Sequence, residues 1–219
     1  MKRDAKIEFF EKNITRLNED DQRSYKNQEK QLISDEIFIR KKLEGLQGVI
    51  EFINENDVQK NCVTNLSKGR VPEEKNMVID RIGIKYGYSV TLVDAALVNY
   101  TQAMYSLNDT EFDAGAVATG GEVYAQKIPL AFRNAEYELK HDGGIIDRGR
   151  ICDLLTDNVT VDGVNGNRKN FQELEWCKML LAGKRLELNI KFPEGGTVPA
   201  GNHYMELVLK GIGLSKRQS

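Results

Sequence analysis

Two histidines, three cysteines and a loose series of aspartates are the side chains with which this chain could do chemistry. His141 and His203 stand in none of the GxSxG or HExxH settings that would mark a nucleophile or a zinc site. Cys62, Cys152 and Cys177 lie far apart without a CxxC pair, so neither a zinc knuckle nor a thioredoxin-like redox site is indicated. Buried free thiols in a reducing compartment are the plainer reading. A dyad of Cys152 or Cys177 with either histidine stays open. Asp142, Asp147, Asp153, Asp157 and Asp162 crowd a turn-rich stretch. There Asp162-Gly163 resembles part of a calcium loop, but Lys169 stands where a bidentate glutamate is required. No phosphate-binding loop exists, and Gly120-Gly121, Gly143-Gly144 and Gly195-Gly196 read as turn glycines. The expectation is therefore a non-enzyme with no catalytic residue, no metal and no cofactor.

Charge narrows the partners further. The formal net charge is -2, so no global field draws the chain to nucleic acid or to an anionic membrane. Residues 1–48 hold eleven Lys/Arg against ten Asp/Glu, a mixed-charge surface rather than a basic tail. No specific nucleic-acid site and no membrane span are expected, since no stretch of eighteen apolar residues occurs. The N-terminal residues alternate charged with apolar side chains and lack a secretory apolar core, which predicts a protein kept inside the cell unless it leaves in a particle. Sequons at Asn13, Asn65, Asn108 and Asn158 carry little meaning in that setting.

Periodicity divides the chain into a helical N-terminal arm, 1–57, and a β domain, 58–219. In the arm, Ile7, Phe10, Ile14 and Leu17 recur at steps of three and four, one stripe of a short helix. After the polar run DDQRSYKNQEKQ, a second apolar face runs from Leu32 through Ile37 and Phe38 to Leu46, read as another helix ending near Gly45 and Gly48. A short helix with few apolar residues is marginal alone, so the first stripe must pack on its own domain or on another molecule.

Beyond Gly48, β-branched and aromatic runs alternate with turn residues. Val78, Ile82, Ile84 and Tyr86 take even positions, with Asp80 as the exception; Ala135, Tyr137 and Leu139 form a second alternation. Leu186, Leu188, Ile190 and Phe192 form a third, and Met205, Leu207 and Leu209 a fourth, with Glu206, Val208 and Lys210 facing outward. Leu188, Ile190, Leu207 and Leu209 are the predicted core of a C-terminal strand pair joined by a Pro/Gly loop. Between the strands, Phe171, Leu174, Cys177, Leu180 and Leu181, with Asn170 as cap and Gly183 as stop, predict a short inserted helix.

The arm before the first strand, the pair RLELNIKFPEGGTVPAGNHYMELVLKG and the loop-rich middle NYTQAMYSLNDTEFDAGAVATGGEVY together resemble the jelly-roll coat proteins of small non-tailed bacterial viruses. That resemblance implies a mainly β, antiparallel jelly-roll-like sandwich or barrel. It also implies a structural virion protein: a coat subunit made in the host cytoplasm, assembling with itself into a capsid shell and meeting other virion proteins. It further makes Ile7, Phe10, Ile14 and Leu17 a contact with a neighbouring subunit. The nearly neutral arm departs from the strongly basic arms of many such proteins, which puts genome packaging by the arm in doubt. A second reading stays open: a β-sandwich binding module, such as a virion decoration or fibre-base protein that holds carbohydrate or protein. An enzyme of the cupin or glycosidase kind comes third, because two scattered histidines argue against a cupin metal site.

Overall fold

A computed structural model describes residues 5–98, 100–101, 129–154, 171–195 and 201–217. Among the described residues, nine strands form two antiparallel sheets: β1 (Lys30–Lys42), β2 (Val49–Ile53), β3 (Met77–Ser89), β4 (Tyr100–Thr101), β5 (Glu136–His141), β6 (Gly144–Arg150), β7 (Gln172–Leu180), β8 (Leu186–Lys191) and β9 (Asn202–Lys216). One sheet runs β1-β9-β3-β4, with β7 also on β3; the other runs β2-β8-β5-β6. The chain is a β-sandwich. Two short helices, α1 (Ala5–Lys12) and α2 (Glu19–Lys26), precede it, and one-turn helices α3 (Leu130–Arg133) and α4 (Ile151–Leu154) flank the β5–β6 hairpin. Among the described residues no helix is long and apolar enough to cross a membrane.

The alternating runs place the core between the sheets, as period-two patterning requires. Tyr137 and Leu139 from β5, Leu188 and Ile190 from β8, and Leu207 and Leu209 from β9 all belong to one buried cluster. The irregularity at Asp80 has a physical cause. A bulge between Ile79 and Arg81 shifts the register of β3 against β7 and β9. Before the bulge Met77 and Ile79 face the main core; after it Ile82, Ile84 and Tyr86 do.

Three expectations need correction. Helix in the arm stops at Lys26, and residues 30–42 and 49–53 are strands of the sandwich. The segment from Leu32 to Leu46 fits either period, and its isoleucines and Phe38 favour the pleated surface. Only Ile37 and Ile39 of β1 turn into the main core, in step two rather than four. The inserted helix near 170–182 is instead strand β7. Its pairing jumps from Glu173 opposite Arg81 to Lys178 opposite Ile79, leaving Leu174–Cys177 bulged out against Asp80 alone. Its apolar residues serve two faces, Leu174 and Leu180 the main core and Cys177, Met179 and Leu181 the cluster around Phe10, and together they imitate a helical stripe; the supposed cap, Asn170, lies outside the described residues. Finally, β8 and β9 do not pair. β8 lies between β2 and β5, and β9 between β1 and β3, so the chain between them crosses from one sheet to the other.

The arm stripe is also placed differently from its expected subunit contact. Phe10 and Leu17 are buried against this chain's own Val78, Met179 and Leu214, with Ile14 partly buried beside them; Ile7 is half-buried. The supposed polar spacer takes part in this packing, since the Tyr25 ring meets Phe10 edge-on at 5.2 Å. Asp21 fastens α2 to the sheet by accepting hydrogen bonds from Asn76 Nδ2 at 2.7 Å and from Lys30. Lys6 pairs with Asp80 at 3.0 Å. Because this stripe is filled intramolecularly, Phe10→Ala should destabilise the fold by about 3 kcal/mol. Urea melts beside light scattering check this: stability should fall while the mass of any assembly stays the same.

Candidate functional site

Both histidines and three of the aspartates singled out for chemistry make structural contacts, whereas the cysteines are not buried as expected: Cys62 is exposed and Cys152 and Cys177 are half-buried. His141 ends β5, and its Nε2 accepts a hydrogen bond from the Leu181 amide at 3.1 Å. Burial lowers its pKa, which favours the neutral ring that this acceptor role needs. His203, in the opposite sheet, meets the Tyr86 hydroxyl through Nδ1 at 2.6 Å. Burial raises the Tyr86 pKa, so its hydroxyl stays neutral beside the His203 ring. Asp147 accepts from the Tyr137 hydroxyl at 2.8 Å, Asp142 pairs with Lys184 at 3.2 Å, and Asp153 pairs with Arg150 at 3.2 Å. Asp157, Asp162 and Lys169 lie outside the described residues, as do most residues of the loop-rich middle and the Asn108 and Asn158 sequons. Among the described residues no group of three or more His, Cys, Asp or Glu is placed to hold a metal ion.

The most organised polar arrangement is one that alternation alone assigned to solvent. Glu206, at the middle of β9, is only 3% exposed. Its register partners are Arg40 on β1 and Lys85 on β3, so the three side chains form a row across the outer face of the sheet. Arg40 Nε lies 2.7 Å from one carboxylate oxygen, and Lys85 Nζ lies 2.7 Å from the other. Two flanking cations compensate a carboxylate that would otherwise be costly to bury. The Arg40 guanidinium also lies over the Phe38 and Tyr100 rings, at 5.9 and 5.4 Å from their centres, and donates to the Cys62 carbonyl.

Beside this row the sheet forms a shallow hollow of about 390 Å³, with Val208 on its floor and Phe38 and Phe171 among its walls. Lys210 lies 4.3 Å from the centre of the Phe171 ring and 3.6 Å from a Glu36 carboxylate oxygen. The hollow thus presents ring faces and paired charges, which suit recognition of a polar or flat group. Cys62 supplies a thiol at its rim, and no histidine lines it.

A signal for this burial is present in the sequence. NHYMELVLKGIGLSK carries Tyr204, Val208, Ile212 and Leu214 at positions nominally facing out, which marks a strand covered on both faces. Asn65 is the other functional surprise. Its side-chain amide accepts from the Phe38 N–H at 3.0 Å and donates to the Glu36 carbonyl at 2.9 Å, so it stands in for a strand along the open edge of β1.

The buried charge makes Glu206 unequal to a surface glutamate. Glu206→Lys should cost about 3 kcal/mol or more, because three cations would then share the row. Glu206→Gln should cost about 1–2 kcal/mol. Urea denaturation checks both against the exposed control Glu44→Lys; a loss at Glu206 no larger than the control's would contradict this burial. In comparisons with protein-family models, curated proteins and solved structures, nothing matches this chain.

Proposed function

We propose that this chain is a structural, non-enzymatic virion protein: a self-assembling coat subunit of jelly-roll type, made in the host cytoplasm and built into a capsid shell. The observation that carries the reading is the strand order. The pairs β1·β9, β2·β8, β3·β7 and β5·β6 are nested in sequence, and successive pairs fall in alternate sheets. A single long hairpin rolled upon itself has this order, which supports a jelly roll. In the first sheet, the edges at β1 and β7 favour assembly through faces and loops over strand addition. Residues 63–65 cover β1, and a four-residue bulge interrupts β7.

The hollow beside Glu206 favours the second reading, a β-sandwich module that binds carbohydrate or protein on a virion. Sedimentation velocity of the full chain over a range of concentrations, with negative-stain imaging of the same samples, separates the two. The coat reading expects uniform particles of many copies. A single-copy species at every concentration, together with saturable binding in a glycan or peptide screen, would replace it with the module.

A further inference from the structure

Only two histidines occur in the chain, and both are buried, His141 at 7% exposure and His203 at 3%. No other type of side chain has an ordinary pKa between about pH 5 and pH 8, so mild acid acts on this fold chiefly through these two rings. They differ in what a second ring proton does. Nδ1 of His203 meets the Tyr86 hydroxyl, and a hydroxyl accepts as well as it donates, so a charged ring keeps that contact. Nε2 of His141 accepts from the backbone N–H of Leu181 at 3.1 Å. A backbone N–H only donates, so a proton on Nε2 removes the bond and sets two N–H groups against each other.

The lost bond is one that crosses between the sheets. His141 ends β5 in the second sheet, and Leu181 directly follows β7 in the first. The next amide, that of Ala182, donates to Asn76 Oδ1 at 2.9 Å, and Asn76 Nδ2 donates in turn to Asp21 of α2. The Leu181 side chain packs into the cluster of Phe10, Leu17 and Met179 beneath the arm helices. The exit of β7 is thus held at two successive amides, once by His141 and once by a residue bonded to the arm.

Burial opposes a charge on the His141 ring most strongly. Among the charged neighbours, Arg16, in the 3-10 turn Ile14–Arg16 of the arm, and Lys184 repel a charged ring, while Asp142 attracts it. Asp142 is already paired with Lys184 at 3.2 Å. Arg185 and Glu187, on either side of the register partner Leu186, pair with each other at 3.0 Å, and Lys140 pairs with Glu138 at 2.6 Å. The ring therefore titrates below its ordinary 6.5 in the closed structure. A state in which the ring meets water binds more protons than the closed one. The closed state keeps its full advantage above about pH 6.5 and loses it as pH falls through that value toward the lowered pKa.

We infer that His141 is an acid-sensitive latch: its neutral ring pins the exit of β7, and a proton on Nε2 frees that segment and the arm helices that rest on it. The latch lies within one chain and does not depend on the proposed assembly.

Hydrogen exchange of the full chain at about pH 7.5 and about pH 5, corrected for the intrinsic pH dependence of amide exchange, reads this latch while most carboxylates stay ionised. Protection of residues 5–26 and 181–184 should lie below that of Met205 to Leu209 at both pH values, and should fall by about tenfold in acid. His141→Gln keeps an acceptor oxygen near the Nε2 position but does not titrate, so protection of the same residues should be equal at the two pH values. Arm protection unchanged by acid in the wild type, an equal acid loss in His141→Gln, or arm amides that exchange only together with β9 would each overturn the latch. The ring tautomer gives a check that needs no variant. In NMR spectra of the ring nitrogens at neutral pH, His141 should carry its proton on Nδ1; a proton on Nε2 overturns the inference.

Discussion

The last strand is the constraint on which the remainder of the fold depends. β9 is bonded to β1 from Lys30–Lys216 to Lys42–Tyr204 on one edge, and to β3 from Met77–Gly213 to Ser89–Asn202 on the other. Until these fifteen residues are in place, β1 and β3 have no common neighbour and the main core lacks a wall. Pairings of such long sequence separation carry a large loop-closure cost before they return any contact, so the fold is expected to form slowly and cooperatively. The fit along β9 is close. At Gly211 a Cβ would run into the Val78 carbonyl, because the bulge in β3 presses its backbone toward β9 at that point. Glycine there and the extra residue at Asp80 are two halves of one feature.

Because β9 is central, both of its faces must be covered. The inner face meets the opposite sheet. The outer face is divided: α1 and α2 lie over Val78, Met179 and Leu214, while farther along the Arg40–Glu206–Lys85 row lies beside the hollow. The helical stripe is therefore spent inside this chain.

Much of the sandwich was legible where a strand had one face in the core. β5 and β8 alternate cleanly, and Leu188, Ile190, Leu207 and Leu209 sit in the core as their positions implied. What was not legible has common physical roots. In β1, apolar residues satisfy both the helical and the strand period, and only tertiary pairing decides. In β7, apolar residues cover both faces, Leu174 and Leu180 toward the main core and Cys177 and Met179 toward the Phe10 cluster, so their combined spacing resembles a helix. The partners of β8 and β9 depend on a loop that crosses between sheets, which local pattern does not encode. Glu206 was misread because alternation distinguishes two faces of a strand but not whether the second face is covered. The candidate site was thus legible only in retrospect, from the unusual apolar density of β9 around one acidic residue.

Native-state hydrogen exchange of the full chain tests most directly whether β9 is the strand on which the sandwich closes. Amides of Met205 to Leu209, bonded into both neighbouring strands, should exchange only through global unfolding and share the highest protection in the chain. Exchange of these amides as fast as those of β6, which pairs only with β5 among the described residues, would contradict the account.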